Sequence, residues 1–109
     1  IKLAEATPVI VHTSPEDGFA MRAASFIEAI TPRTKAIVIN SPANPTGALM
    51  TEDEMARLAE YCAPRGIWIV LDLCYEKLIY EPSPHNLPKV LAERMRERTI
   101  LTGSASKAY

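Results

Sequence analysis

The stretch Thr99-Ile100-Leu101-Thr102-Gly103, followed by Ser104-Ala105-Ser106-Lys107, sets the pattern from which the fold can be predicted. A short apolar run closed by glycine indicates a buried strand, and the hydroxyl residues after it indicate a turn at the carboxyl edge of a sheet. A lysine in such a turn can lose enough hydration to act as a nucleophile toward carbonyl groups. Taken alone, Lys107 reads as a solvated surface lysine, and it is the similar endings of earlier strands that change this interpretation.

Three earlier segments also read as strands. They are rich in β-branched and apolar residues and span Pro8 to Thr13, Lys35 to Asn40 and Ile67 to Leu71. The middle of the Lys35 to Asn40 strand is wholly apolar, so we expect both of its faces to be covered.

Helices are predicted between these strands. Apolar residues recur at helical spacing from Phe19 to Ile30, and a capping box at Thr51 and Glu54 starts a second helix. Asn86 is expected to cap a third helix, after an exposed loop at Glu81 to Pro84. The alternation predicts an α/β fold with a mainly parallel sheet and right-handed crossover helices.

Composition excludes several classes of protein. The 109 residues carry a formal net charge of -1 and are 48% apolar, which is typical of a small globular domain rather than a nucleic-acid-binding one. The longest apolar run is far shorter than the roughly 20 residues needed to cross a bilayer, so no membrane association is expected. Without a visible signal peptide, a cytoplasmic location is the default.

A metal site or a disulfide is not expected. The two cysteines, Cys62 and Cys74, lack metal-ligand spacing, and His12 and His85 are distant in sequence from them and from each other.

The carboxyl edge of the predicted sheet collects chemically distinctive side chains. Ligands of such sheets bind outside the carboxyl ends of the strands, where the Asn44 loop, Asp72 and Lys107 are expected. A carboxylate that follows a buried strand stays ionised beside a cation, and a protonated heteroaromatic nitrogen is one such cation. Lys107 could form an imine with an aldehyde, while Asn44 and Tyr75 could donate hydrogen bonds to a phenolate oxygen.

Ser104 and Ser106, with the backbone N–H groups of their turn, could hold a phosphate. Pyridoxal phosphate carries a group complementary to every one of these side chains.

Three motifs resemble one known family. Ser41-Pro42-Ala43-Asn44-Pro45-Thr46-Gly47, Asp72-Leu73-Cys74-Tyr75 and Ser104-Ala105-Ser106-Lys107 are similar to consecutive signatures of the fold-type I, class I/II aminotransferases. The resemblance runs from Pro8 to Tyr109. It implies that residues 1–109 are an internal part of the large, cofactor-binding domain of a fold-type I enzyme, with no complete second domain.

The resemblance also implies roles for single residues. Lys107 would hold pyridoxal 5'-phosphate as an internal aldimine and then move the proton at the substrate α-carbon. Asp72 would keep the pyridine nitrogen protonated, and Asn44 and Tyr75 would hydrogen-bond the phenolic oxygen. The Asn44-Pro45 peptide bond is expected to be cis.

Ser104 and Ser106 would lie beside the phosphate group. The sequence departs from the commonest family pattern at Ala43, Leu73 and Ala105, but none of these departures removes a side chain with an implied role.

The main prediction is a homodimeric aminotransferase that exchanges an amino group between an amino acid and a 2-oxo acid. Two other functions stay open. A carbon-sulfur lyase or related synthase would use the same cofactor on a different bond. A transcription regulator could use an aminotransferase-like domain to sense a ligand, but no helix-turn-helix is visible in this sequence.

As a free chain, the 109-residue segment is expected to show little or no transamination, because the resemblance places part of the pocket outside it. Assaying the purified segment with an amino acid, a 2-oxo acid and added pyridoxal phosphate tests this. Detectable turnover would contradict it.

Overall fold

The computed structural model describes residues 1, 3, 5–80 and 85–108, so the loop predicted at Glu81 to Pro84 lies outside the described residues. The helices are α1 (Ala23–Ala29), α2 (Glu52–Cys62), α3 (Leu87–Met95) and α4 (Ala105–Ala108). The strands are β1 (Ala36–Asn40), β2 (Trp68–Asp72) and β3 (Thr99–Thr102). Single 3₁₀ turns occupy Pro15–Asp17, Ala63–Arg65 and Arg96–Arg98.

The three strands form a parallel sheet in the order β1-β2-β3, with helices in the connections. The predicted α/β class is therefore confirmed. In the pairing register, Asn40 lies beside Asp72, and Asp72 lies beside Thr102. The three strands therefore end side by side at one edge of the sheet.

Helix α2 forms where its local signals predict it. The Thr51 hydroxyl accepts a hydrogen bond from the backbone N–H of Glu54 at 3.2 Å, and acidic residues occupy the first turn, where they favour the helix dipole. The helix ends at Cys62, and the chain turns at Gly66, which has a φ of 66°. Its inward face is fully buried and consists of Met55, Leu58, Ala59 and Cys62.

The core lies between the helices and one face of the sheet. That face carries Ile37, Ile39, Ile69 and Leu71, all buried against residues of α2 and α3. On the other face, 56% of Val38 and 46% of Ile100 are exposed. The expectation that β1 is covered on both faces is therefore wrong for the described residues, because their core helices pack on one side only.

The strand predicted at Pro8 to Thr13 is also absent from the described structure. Val9 and Ile10 are each 67% exposed, and the described sheet contains β1, β2 and β3 alone. β-branched residues favour extended backbone, but a strand also needs a neighbour to complete its hydrogen-bond ladder. This segment has no such neighbour among the described residues.

Helix α1 starts later than its periodicity predicts. Phe19 has a φ of 60° and Arg22 is extended, so the helix begins at Ala23. The backbone N–H of Ala23 donates to Oε2 of Glu54 at 2.6 Å. A carboxylate of α2 thus accepts a hydrogen bond from an N–H group in the first turn of α1. The sequence around α1 cannot reveal this partner.

No helix within residues 5–80 and 85–108 is both long and apolar enough to cross a membrane. Over the same described residues, no group of three histidine, cysteine, aspartate or glutamate side chains is placed to hold a metal ion.

Both cysteines are free thiols, and we predict that they differ in reactivity. Burial raises the pKa of the Cys62 thiol to about 11, which the nearby Arg65 guanidinium offsets only in part. At pH 8 the thiolate is therefore about one part in a thousand of Cys62, and alkylation should be slow. Cys74 is only half-buried and should be labelled first by iodoacetamide.

Peptide mass mapping after labelling of the folded protein measures the alkylation rates of Cys62 and Cys74. Labelling in denaturant is the control, since both thiols should then react. The Cys62 rate should rise about tenfold per pH unit below its pKa. Equal native labelling of both thiols at pH 8 would contradict the prediction.

Candidate active site

The site begins with the row of residues at which the strands end. Asn40, Asp72 and Thr102 are neighbours across β1, β2 and β3. The backbone continues this pairing beyond the strands, since the N–H of Leu73 donates to the carbonyl of Thr102 at 2.8 Å. Three loops therefore leave the sheet from one edge, as expected for the binding edge of a parallel sheet.

The first loop runs from Ser41 to Met50 and has a tightly bonded backbone. The Ala43 N–H donates to the Ala48 carbonyl at 2.9 Å, and the Gly47 N–H donates to the Ala43 carbonyl at 2.7 Å. Gly47 has a φ of 72°, a conformation that glycine adopts without a steric penalty. The loop thereby has a defined shape that presents Asn44.

The predicted cis bond at Asn44-Pro45 is confirmed, and Ser41-Pro42 is cis as well.

Asn44 and Tyr75 meet although 31 residues separate them. Nδ2 of Asn44 donates to the hydroxyl oxygen of Tyr75 at 2.7 Å. Asn44 is exposed and Tyr75 is half-buried in the turn that follows β2. The pair therefore presents an amide donor and a phenol side by side at the surface of the edge.

Asp72 ends the central strand with a half-buried carboxylate. Its Oδ1 accepts a hydrogen bond from the backbone N–H of Cys74 at 3.0 Å, which orients the carboxylate over the start of its own loop. No hydrogen bond among the described residues involves Oδ2. One carboxylate oxygen is thus used to orient the group, and the other can accept from a ligand.

The third loop carries two hydroxyls and an amine. The Oγ atoms of Ser104 and Ser106 lie 2.7 Å apart, with Ser106 in the four-residue helix α4. Lys107 is exposed on the same helix. The side chain of Lys107 makes no hydrogen bond or salt bridge within the described part of the chain.

The structure thus brings Asn44 into contact with Tyr75 and Ser104 into contact with Ser106. Asp72 shares the sheet edge with both pairs, and Lys107 lies five residues beyond the end of β3. No hydrogen bond or salt bridge joins Lys107 to Asp72 among the described residues.

Sequence reasoning missed Asn40. Its Oδ1 accepts from the backbone N–H of Asn44 at 3.1 Å, and its Nδ2 donates to the carbonyl of Asp72 at 3.3 Å. One carboxamide therefore ties the first loop to the end of the central strand. The available signal was a polar residue ending an apolar strand, directly before the loop that carries Asn44.

Comparison with known proteins gives this edge its context. The family model for aminotransferase class I and II matches residues 1–109. Aspartate aminotransferase of Bacillus subtilis (strain 168) is 42% identical over all 109 residues, and the probable aspartate/prephenate aminotransferase of Thermus aquaticus is 43% identical over the same length.

The same similarity is seen in three dimensions. A tetra mutant of Thermus thermophilus aspartate aminotransferase superposes with a TM-score of 0.84 over 95% of this chain, at 36% sequence identity. N-succinyldiaminopimelate aminotransferase from Mycobacterium tuberculosis superposes with a TM-score of 0.71 over 93% of this chain, also at 36% identity.

The chain spans only part of these proteins. It covers 28% of the Bacillus subtilis relative, 27% of the Thermus aquaticus relative and 28% of the Thermus thermophilus structure. Because the family model matches it from first residue to last, and relatives above 40% identity align over its whole length, the chain belongs to the class I and II aminotransferase family.

Proposed function

We propose that the protein containing these residues is a pyridoxal-phosphate-dependent aminotransferase, and that residues 1–109 belong to its large, cofactor-binding domain. The reaction would move an amino group between an amino acid and a 2-oxo acid. The observation that carries the proposal is the 2.7 Å contact between Asn44 and Tyr75, at the sheet edge where Asp72 ends the central strand. The relatives named above are aminotransferases, which favours transfer over a lyase reaction.

The donor set fits the cofactor. Tyr75 has one hydroxyl proton and Asn44 has a second amide proton, so one acceptor atom placed beside the pair could receive a hydrogen bond from each. The phenolic oxygen of pyridoxal phosphate is such an acceptor. The amide and the phenol would then orient the ring by the edge that carries this oxygen.

Asp72 suits the pyridine nitrogen of the ring. Its Oδ1 is held by the Cys74 N–H, so the carboxylate has a defined direction before any ligand binds. A carboxylate oriented in this way would accept a hydrogen bond from the protonated pyridine nitrogen and favour its positive charge. When bound, pyridoxal phosphate supplies an electron-withdrawing ring that stabilises negative charge at the substrate α-carbon.

Ser104 and Ser106 would bind the phosphate through two hydroxyls that already lie side by side. Lys107 would hold the cofactor through its ε-amine and, once a substrate amine replaces it, take up and return the proton at the substrate α-carbon. An amine suits both tasks because its neutral form is a nucleophile and a base.

A homodimeric assembly and a cytoplasmic location complete the proposal. The homodimer rests on the family resemblance, and light scattering of the purified protein tests it.

Replacing Lys107 tests the proposed attachment of the cofactor. In the protein containing this segment, Lys107→Ala should abolish both the visible absorbance of bound pyridoxal phosphate and transamination, because no other group replaces the amine. Borohydride reduction and peptide mass mapping of the parent protein should find the phosphopyridoxyl group on Lys107. Lys89→Ala, which alters an exposed lysine of α3, is the matched control and should keep both properties. A Lys107→Ala protein that retains both would overturn the assignment.

Replacing Asp72 tests the proposed charge at the pyridine nitrogen. Asp72→Asn keeps the size of the side chain but removes its negative charge, so turnover should fall about 10²- to 10³-fold, the usual effect of losing one electrostatic contact in an active site. Steady-state kinetics measure the loss. Asp53→Asn in the first turn of α2 is the matched control, since Asp53 is exposed and its side chain makes no hydrogen bond or salt bridge among the described residues. Equal turnover by the two variants would contradict the role of Asp72.

The type of reaction is decided by omitting the acceptor. Aspartate is the first donor to try, since several relatives are named for it. Turnover of aspartate that requires 2-oxoglutarate supports amino transfer, whereas release of pyruvate, ammonia and a thiol from a cysteine thioether without an acceptor would indicate a carbon-sulfur lyase.

A further inference from the structure

Ser41 is the one polar side chain that is fully buried among the residues described by the structure. Its backbone N–H donates to the carbonyl of Asp72 at 3.2 Å. Its hydroxyl oxygen accepts from the backbone N–H of Met50 at 3.0 Å. Because Ser41 and Met50 are the two ends of the loop that carries Asn44, this hydroxyl closes the base of that loop.

The same hydroxyl has a second partner, His85. Oγ of Ser41 and Nε2 of His85 lie 3.4 Å apart, although the two residues are 44 positions apart in sequence. Nδ1 of His85 is buried and has no hydrogen-bond partner among the described residues. Among the described residues, Ser41 is therefore the hydrogen-bond partner of the His85 ring.

His85 is itself held in place by the residue that follows it. The backbone N–H of Asn86 donates to Oε1 of Glu52 at 2.8 Å, and Oδ1 of Asn86 accepts from the N–H of Lys89 at the start of α3. These bonds anchor the chain beside His85 to both α2 and α3. The ring therefore approaches Ser41 from a fixed point outside the loop.

The hydroxyl of Ser41 has one proton and two lone pairs. One lone pair accepts from Met50, so the remaining capacity of the hydroxyl is directed toward His85. Whether Nε2 accepts the hydroxyl proton or donates to the second lone pair, the ring limits rotation of the hydroxyl and keeps it aligned with Met50. Loss of the ring would leave a buried hydroxyl with one partner fewer.

We propose that His85 is a positioning residue, which acts through the Ser41 hydroxyl to hold the 41–50 loop so that Asn44 stays in contact with Tyr75. The inference rests on the proposed function, since it gives His85 a role in orienting the amide and phenol that would meet the cofactor. His85 touches neither Asn44 nor Tyr75 in the described hydrogen bonds and acts only through the base of the loop.

The test compares three variants of the protein containing this segment. His85→Leu removes the hydrogen-bonding ring, His85→Gln keeps an amide that can reach Ser41, and His12→Gln alters an exposed histidine as the matched control. Hydrogen–deuterium exchange of the peptide covering residues 41–50 reports the loop without any cofactor. The pH midpoint of the visible absorbance of added pyridoxal phosphate reports the contact with Asn44.

In His85→Leu, exchange in the 41–50 peptide should rise about three- to tenfold, the effect of losing one hydrogen bond. Exchange in α2 should stay unchanged. The absorbance midpoint should move in the same direction as in Asn44→Ala, but by less. His85→Gln should restore both readouts, and His12→Gln should alter neither.

Unchanged exchange in the 41–50 peptide of His85→Leu would overturn the proposal. An equal rise in α2 would overturn it too, because the histidine would then only stabilise the fold, and so would a His85→Gln protein that behaves like His85→Leu. If the parent protein binds no pyridoxal phosphate, the proposed function fails. The exchange data then still decide whether His85 holds the loop.

Discussion

The parallel pairing of β2 between β1 and β3 sets the position of every loop that carries a side chain proposed for the site. Parallel register places Asn40, Asp72 and Thr102 in one row, so the three loops that follow leave the sheet from one edge. In an antiparallel sheet, neighbouring strands would end at opposite edges. The parallel arrangement is therefore what brings residues from three separate motifs to one edge of the sheet.

Neutral hydrogen bonds hold this edge together. The Asn40 carboxamide, the Ser41 hydroxyl and the Leu73 N–H each join one loop or strand end to another. None of the salt bridges among the described residues includes Asp72 or Lys107. A charged pair holding the edge would consume the groups that the proposed chemistry requires, whereas amides and hydroxyls shape the loops without doing so.

Predictions that depend on neighbouring residues are accurate, whereas predictions that depend on contacts between distant parts of the chain are not. Helix α2 begins and ends where its cap and its apolar spacing indicate, because both signals act within a few residues. The strand predicted at Pro8 to Thr13 is not formed because no neighbouring strand pairs with it among the described residues. Helix α1 starts at Ala23, where Glu54 of another helix accepts a hydrogen bond from its first N–H group. The double coverage expected for β1 failed for a similar reason, since hydropathy alone does not say which faces are packed.

The α/β class, the family and the residues proposed for the site can be predicted from the sequence, because motif chemistry and short-range periodicity depend on residues close together in the chain. Three contacts appear only in the folded chain: Asn44 with Tyr75, Asn40 with the carbonyl of Asp72, and Ser41 with His85. These pairs lie 31 to 44 residues apart. The spacing of residues along the chain does not show which side chains will come within hydrogen-bond distance. Such contacts form only when the sheet and its helices pack together.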